Sequence, residues 1–204
     1  MSRARRHLVI FAKAPALGRV KTRLARGIGP GAALSFYRLT LAGLLRRVGR
    51  DPRWRVTLVV APDRAAQVAR LWPMRMARKG QGHGDLGDRM GRTLRRWPAG
   101  SVVIIGADIP DITAAHVARA FAALGAADLV FGPARDGGYW LVGARGAARR
   151  ASLFRRVRWS TAHALADTLA NLGGRRVAFV DTLDDIDDVE DLRRWRAARP
   201  SPSA

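Results

Sequence analysis

Short apolar runs rich in β-branched residues alternate along the chain with stretches whose apolar positions recur every three or four residues. The first run, 7–12, predicts a buried strand. Residues 30–48 follow, with Leu34, Leu41, Leu44, Leu45 and Val48 on one helical stripe. Further strands are expected at 55–60, 101–105, 128–131, 139–142 and 176–180, the most apolar being 101–105. Helices are expected at 63–71 with Asp63 as cap, 88–97, 113–124 with Thr113 as cap, 160–172 and 189–198. This alternation predicts an α/β fold, doubly wound around a mostly parallel sheet, with one domain over 1–199 and a disordered tail at 200–204.

Composition narrows the classes. A chain of 204 residues that is 48% hydrophobic can bury a core, and the absence of cysteine excludes disulfide scaffolds, thiol nucleophiles and Cys-ligated zinc. No apolar stretch approaches the ~20 residues of a membrane span, and 8–12 is too short for a signal-peptide core. A cytoplasmic protein without membrane partners is the expectation.

The net charge of +21 invites a nucleic-acid partner. Two features weaken that. Arginine outnumbers lysine 34 to 3, which has the look of codon bias, and the arginine pairs are dispersed rather than interleaved with aromatics. The charge is also lopsided: successive quarters of the chain carry +12, +7, +1 and +1. A positive first half suits a small polyanion such as a nucleotide better than a long one.

In open α/β sheets ligands bind beyond the carboxyl ends of the strands, here the loops 13–23, 80–87, 106–112, 132–138 and 181–188. The first carries Lys13, Gly18, Arg19, Lys21 and Arg23. Gly18 permits close backbone approach and the cations, Lys21 and Arg23 above all, neutralise phosphate oxygens, although a solvated basic loop has the same composition. It lacks the Gly-Lys-Ser/Thr of a Walker loop. Asp108 follows the 101–105 strand, where a carboxylate is a natural ligand for Mg²⁺ or Mn²⁺; an Asx-turn or helix cap by Asp108 or Asp111 is the plainer alternative. Seven of the sixteen acids fall within 181–191, either to cap a helix or to complete a metal site with Asp108. Asp136, Gly137 and Gly138 form a bend before the aromatic strand, or a simple hairpin turn. The stretch 82–87 formally matches a dinucleotide-binding glycine pattern, but 72–79 before it is a poor buried strand. The four histidines show no metal-ligand spacing, and Ser160 and Thr161 look first like a helix cap.

Together, residues 11–24 (FAKAPALGRVKTRL), 84–90 (GDLGDRM), 105–112 (IGADIPDI), 132–143 (GPARDGGYWLVG), 157–161 (VRWST) and 184–192 (DDIDDVEDL) resemble the radical-SAM/selenodomain-associated transferases. These are glycosyltransferase-A-like proteins, and the match runs in order over 7–196. More distantly the chain is similar to nucleotidyltransferases of the phospholactate guanylyltransferase type. The resemblance implies a nucleotide-diphospho-sugar transferase fold. It implies that the loop from Ala12 and Lys13 through Gly18, Arg19, Lys21 and Arg23 wraps the nucleotide, with Gly84, Asp85 and Gly87 against its base or ribose. Asp108 would hold the metal together with Asp187, or with Asp185 in its place. Asp111, Asp136, Gly137, Gly138, Tyr139, Trp159, Ser160 and Thr161 would lie on the acceptor side, Asp136 being the best-placed base.

A metal-dependent transferase is therefore expected, moving a sugar from a nucleotide sugar to a small-molecule acceptor. At Asp108 the compact D-x-D of glycosyltransferases is absent, Pro110 standing between it and Asp111, so nucleotidyl transfer from a nucleoside triphosphate stands beside sugar transfer. A non-catalytic nucleic-acid-binding domain is the third hypothesis. Base, sugar, acceptor and oligomeric state are not legible.

Overall fold

The computed structural model describes residues 5–72, 76–97 and 99–198. Both flanks of β1 (Arg6–Lys13) are occupied by parallel neighbours, which is why its apolar run is unbroken and Leu8, Val9 and Ile10 are fully buried. On one side it pairs with β2 (Arg55–Ala61), in register His7 with Arg55 through Lys13 with Ala61. On the other it pairs with β4 (Ser101–Gly106). The short β3 (Ala77–Gly80) extends the sheet beyond β2, and β6 (Tyr139–Arg145) runs antiparallel to both β4 and β5 (Leu129–Pro133). β7 (Val177–Phe179) closes the far edge, so the strand order is β3-β2-β1-β4-β6-β5-β7. This is the expected mostly parallel α/β sheet.

Alternate residues of each strand feed two cores. Leu8, Ile10, Leu58 and Val103 face α2 (Pro30–Val48) and α4 (Ala114–Ala123), meeting Leu41, Leu44 and Phe121. Val9, Val59, Val102 and Ile104 face the other way, meeting Met90 and Leu94 of α3 (Leu86–Arg95) and Leu153. A third, smaller cluster joins Leu24 of α1 (Thr22–Ile28), Ala33, Ile186 and Leu192 of α6 (Val189–Ala197). It ties the two ends of the chain together beside the sheet's carboxyl edge. Gly27 makes this possible: a Cβ there would lie 2.9 Å from Val189 Cβ.

The order in which strands are laid down reverses between the parallel β1 and β4: the connections from β1 lead outward to β2 and β3, while β4 begins the other half. This is the switch point at which α/β sheets open a crevice.

Several expected elements differ. α1 forms inside the cationic loop. The helix expected at 63–71 is two short 3₁₀ stretches, Asp63–Gln67 and Ala69–Leu71, and the Asp63 carboxylate, instead of capping, accepts the Gly82 N–H at 3.0 Å. The helix expected at 160–172 is confined to α5 (Ala164–Ala170), because 158–163 is folded into a turn by Thr161, whose hydroxyl donates to the Arg158 carbonyl. Thr113 does cap α4, in a capping box with His116. The tail expected at 200–204 lies outside the described residues, as do 73–75 of the stretch before β3. Among the described residues no helix is long and apolar enough to cross a membrane.

Candidate nucleotide and metal site

β1 is fixed at its carboxyl end by Tyr37 of α2. The buried Tyr37 hydroxyl accepts from the Lys13 N–H and donates to the Lys13 carbonyl, both at 2.9 Å. Burial, then the nearby Asp108 charge, pushes its pKa well above the ordinary phenol value. Beyond it the chain turns at Gly18 (φ 68°) and enters α1 through Lys21, itself left-handed at φ 47°. No side chain caps that helix; the Lys21 stem instead runs inward.

The Lys21 ammonium is the centre of the site. Its side chain is only 4% exposed, and Nζ donates to Asp108 Oδ2 at 3.1 Å and Asp187 Oδ1 at 3.0 Å, with Asp185 Oδ2 at 3.9 Å. Arg23 adds a contact of 3.6 Å to the other Asp187 oxygen. Asp108 stands just past β4. Its loop is held by Arg47 of α2, which donates to the Ile112 and Pro110 carbonyls, each at 2.7 Å. Asp185 and Asp187 come from the loop before α6, held by Ile186 in the third cluster and by a capping box in which Asp188 accepts from the Asp191 N–H.

Burial lowers the Lys21 pKa on its own, but the three carboxylates outweigh it and hold the ammonium above its usual value. Asp185 is pushed up to about 7, first by burial and then by its like-charged neighbours, against the pull of Lys21. Asp187 moves the opposite way: burial raises it, yet Lys21 and Arg23 bring it below the ordinary range. Asp185 is thus the acid of the pair that keeps its proton longer.

Oxygens of Asp108, Asp185 and Asp187 lie within 4.8 Å of one another. An all-carboxylate donor set this close, already holding one cation, fits a hard divalent ion such as Mg²⁺ or Mn²⁺.

These groups open into a cleft of about 670 Å³ that spans the switch point. Of the residues singled out from sequence, Ala12, Lys13, Lys21, Arg23, Asp108, Asp136, Gly138, Tyr139, Trp159, Ser160, Thr161, Asp187 and its alternative Asp185 line it. Asp136 accepts the Gly138 N–H at 2.8 Å, fixing its carboxylate at the rim. Ser160, left-handed at φ 59°, stands next to Trp159.

Others stand behind it. Asp85 caps α3 in a capping box with Asp88, and Gly87 leaves the room in which Trp159 packs, since a Cβ there would lie 2.8 Å from the indole. Gly137 (φ 82°) lets its loop press on the Ala162 backbone, which a Cβ would meet at 2.1 Å. Gly18, Arg19 and Gly84 form turns beside the cleft rather than its wall. The Asp111 carboxylate accepts from Trp195 Nε1 at 3.0 Å, which ties its loop to α6, and it is not among the residues that line the cleft.

Gln81 and Arg89 also line the cleft, and neither stands out in the sequence. Gln81 is buried with Nε2 donating to the Val59 and Ala12 carbonyls. A lone glutamine at the end of a weak strand gives little sequence signal. Arg89, four residues after the Asp85 cap, is legible only once the start of α3 is known.

The profile of a family described as "Uncharacterized protein conserved in bacteria (DUF2064)" matches residues 44–161. No match among curated proteins is found. Among solved structures, a protein of Desulfovibrio desulfuricans G20 named as a candidate nucleotide-diphospho-sugar transferase is 29% identical. That match covers 98% of this chain and 90% of the other, at a TM-score of 0.86. A nucleotidyl transferase of Methanothermobacter thermautotrophicus is 15% identical, with 93% and 96% covered and a TM-score of 0.61. The 4-diphosphocytidyl-2C-methyl-D-erythritol synthase of Anaerococcus prevotii DSM 20548 is 14% identical, with 96% of each chain covered and a TM-score of 0.59. The last two are likenesses of fold.

Proposed function

The chain belongs to the DUF2064 family, and we propose that it is a metal-dependent transferase moving a glycosyl group from a nucleotide sugar to a small-molecule acceptor. The observation that carries this is the convergence of Lys21, Asp108, Asp185 and Asp187 in one cleft at the switch point, with Lys13 and Arg23 beside them. The likeness to the D. desulfuricans structure supports the donor class.

On this proposal Lys13, Lys21 and Arg23 bind the diphosphate, the buried Lys21 where water is partly excluded and its charge counts for more, Lys13 and Arg23 from exposed positions beside it. Asp108, Asp185 and Asp187 would hold Mg²⁺ or Mn²⁺. When bound, such an ion stabilises the charge that develops on a departing diphosphate. Tyr139, Trp159, Ser160 and Thr161 hold the acceptor, and Asp136 takes the proton from its attacking hydroxyl.

Nucleotidyl transfer on the same scaffold is favoured by one observation: the acids come from two loops, Asp108 from the one after β4 and Asp185 with Asp187 from the one before α6. There a substrate phosphate would attack the α-phosphorus of a nucleoside triphosphate and release pyrophosphate.

A panel of nucleotide sugars and nucleoside triphosphates, with Mg²⁺ or Mn²⁺ and small hydroxylated or phosphorylated acceptors, separates the two. Release of nucleoside diphosphate that is lost on chelation and falls at least about a hundredfold in Asp108→Ala, a loss of about 2.7 kcal/mol of transition-state stabilisation, is the expected result. Pyrophosphate as the product would establish nucleotidyl transfer. Full activity in Asp108→Ala would remove this carboxylate from the site.

A further inference from the structure

Three carboxylates of one cleft share a single buried ammonium, and that ammonium is where a divalent ion bound by all three would be. We propose that Lys21 is a tethered occupant of the metal position, keeping divalent ions off Asp108, Asp185 and Asp187 until phosphate oxygens draw its ammonium away. This rests on the metal site argued above.

The geometry carries it. Nζ lies 3.1, 3.0 and 3.9 Å from one oxygen of Asp108, Asp187 and Asp185 respectively. A divalent ion bonds carboxylate oxygens at roughly 2.0–2.1 Å for magnesium. Bound to those same oxygens, it would face the ammonium across little more than one carboxylate, with too little water between to screen like charges. The two cations are therefore alternatives rather than neighbours. The residue type fits as well. In a chain with 34 arginines and 3 lysines, the position holds a compact ammonium on a four-carbon stem, which can leave by rotating its side chain. Lys13 and Arg23 line the same cleft, so the place to which the ammonium would swing already favours anions.

Two consequences follow from linkage. Without nucleotide the metal affinity is reduced by competition with Lys21. A nucleotide that engages Lys21 raises metal affinity, and by reciprocity the metal raises nucleotide affinity.

The test is Mn²⁺ binding to the full chain without nucleotide, by titration calorimetry and by the paramagnetic resonance of free Mn²⁺. Lys21→Met, checked for folding by circular dichroism, is expected to bind Mn²⁺ at least fivefold more tightly than the unmodified protein. Adding Asp108→Asn should abolish the gain. Equal or weaker binding by Lys21→Met, with Asp108→Asn still reducing binding, overturns the proposal and leaves the metal site standing: Lys21 would then brace the acids from beneath. No Mn²⁺ binding by any of these proteins overturns both.

A second measurement needs no variant. With only three lysines, brief acetylation followed by peptide mass spectrometry reports Lys21 against Lys79 as an internal reference. Saturating Mn²⁺ should raise Lys21 labelling severalfold. Unchanged labelling while Mn²⁺ binds overturns the displacement.

Discussion

His7 and Asp185 are both pushed off their ordinary titration, and they bend the pH dependence of stability in opposite directions. His7 is buried at the start of β1 against Trp97, and burial, followed by the charges of Arg55, Arg149 and Arg5, lowers its pKa below 6.5. The native state therefore resists protonation more than the unfolded chain does, so stability is whole above pH 6.5 and declines as pH falls below it. Asp185 has a folded pKa raised above 3.8 to about 7, so its contribution is present at low pH and is lost as pH rises toward 7. Between pH 7 and 5 the two effects oppose, and a melt of the unmodified protein mixes them. His7→Phe keeps an aromatic ring on Trp97 and removes only the titration. We expect the unmodified protein to lose stability relative to His7→Phe as pH falls from 7 to 5, the native state being the one that resists the proton. A stability difference that does not move with pH would contradict this. At this scale the sequence exposed the residues of the site that follow strong apolar runs. Asp108 stands at the end of one, and Lys21 lies in the loop after another. Gln81 escaped because its value lies in two carbonyls, of Ala12 and Val59, that only the sheet brings to it.

Elements were legible where one face or both faces of a segment had to be apolar, and obscure where a third partner decides the conformation. α2 and the four strands at 55–61, 101–106, 129–133 and 139–145 are of the first kind. α1 is of the second: seven residues, no side-chain cap, and one buried residue, Leu24, which needs Ile186 and Leu192 to pack against. β3 has no buried residue and exists because β2 offers an open edge. The contact that secures α1 is Gly27 against Val189, and it yields a prediction with a change of sign. In isolation Gly→Ala inside a helix stabilises by about 1 kcal/mol. Here the new Cβ would lie 2.9 Å from Val189 Cβ, so Gly27→Ala should destabilise by about 1 kcal/mol or more and move Lys21 relative to Asp187. In a Val189→Gly background the obstruction is gone, and the same substitution should become neutral or stabilising. Denaturant titrations of the four proteins give the coupling directly; additive effects would mean that α1 and α6 do not depend on this contact.

On the scale of the molecule, two groups stand out within the charge that first pointed to nucleic acid. Many arginines grip backbone carbonyls where elements end: Arg38 on Pro15, Arg47 on Pro110 and Ile112, Arg78 on Ala66, Arg92 on Gln81 and His83, Arg145 on Gly125, and Arg149 on Trp97. Their guanidinium forks act as structural clamps, and they contribute to a diffuse positive field rather than to a groove. The second group, Lys13, Lys21, Arg23 and Arg89, is small and faces one cleft. A few focused cations inside a diffuse field should capture a short polyanion and have little hold on a long one. The salt dependence of binding measures which it is. A duplex contacting six to ten phosphates loses about 10³–10⁵ in affinity between 50 and 200 mM salt, because each neutralised phosphate releases counterions. A diphosphate engaging about three of the cleft's cations should lose about tenfold to a hundredfold over that interval, since the slope scales with the number of charges neutralised. Nucleotide affinity measured by calorimetry across that range should therefore fall with a shallow slope. It should steepen no further when DNA is offered, because DNA has no comparable cluster to engage. A slope for DNA as steep as that of six to ten contacts, with tight binding at 50 mM, would reverse the conclusion and assign the positive half of the chain to nucleic acid.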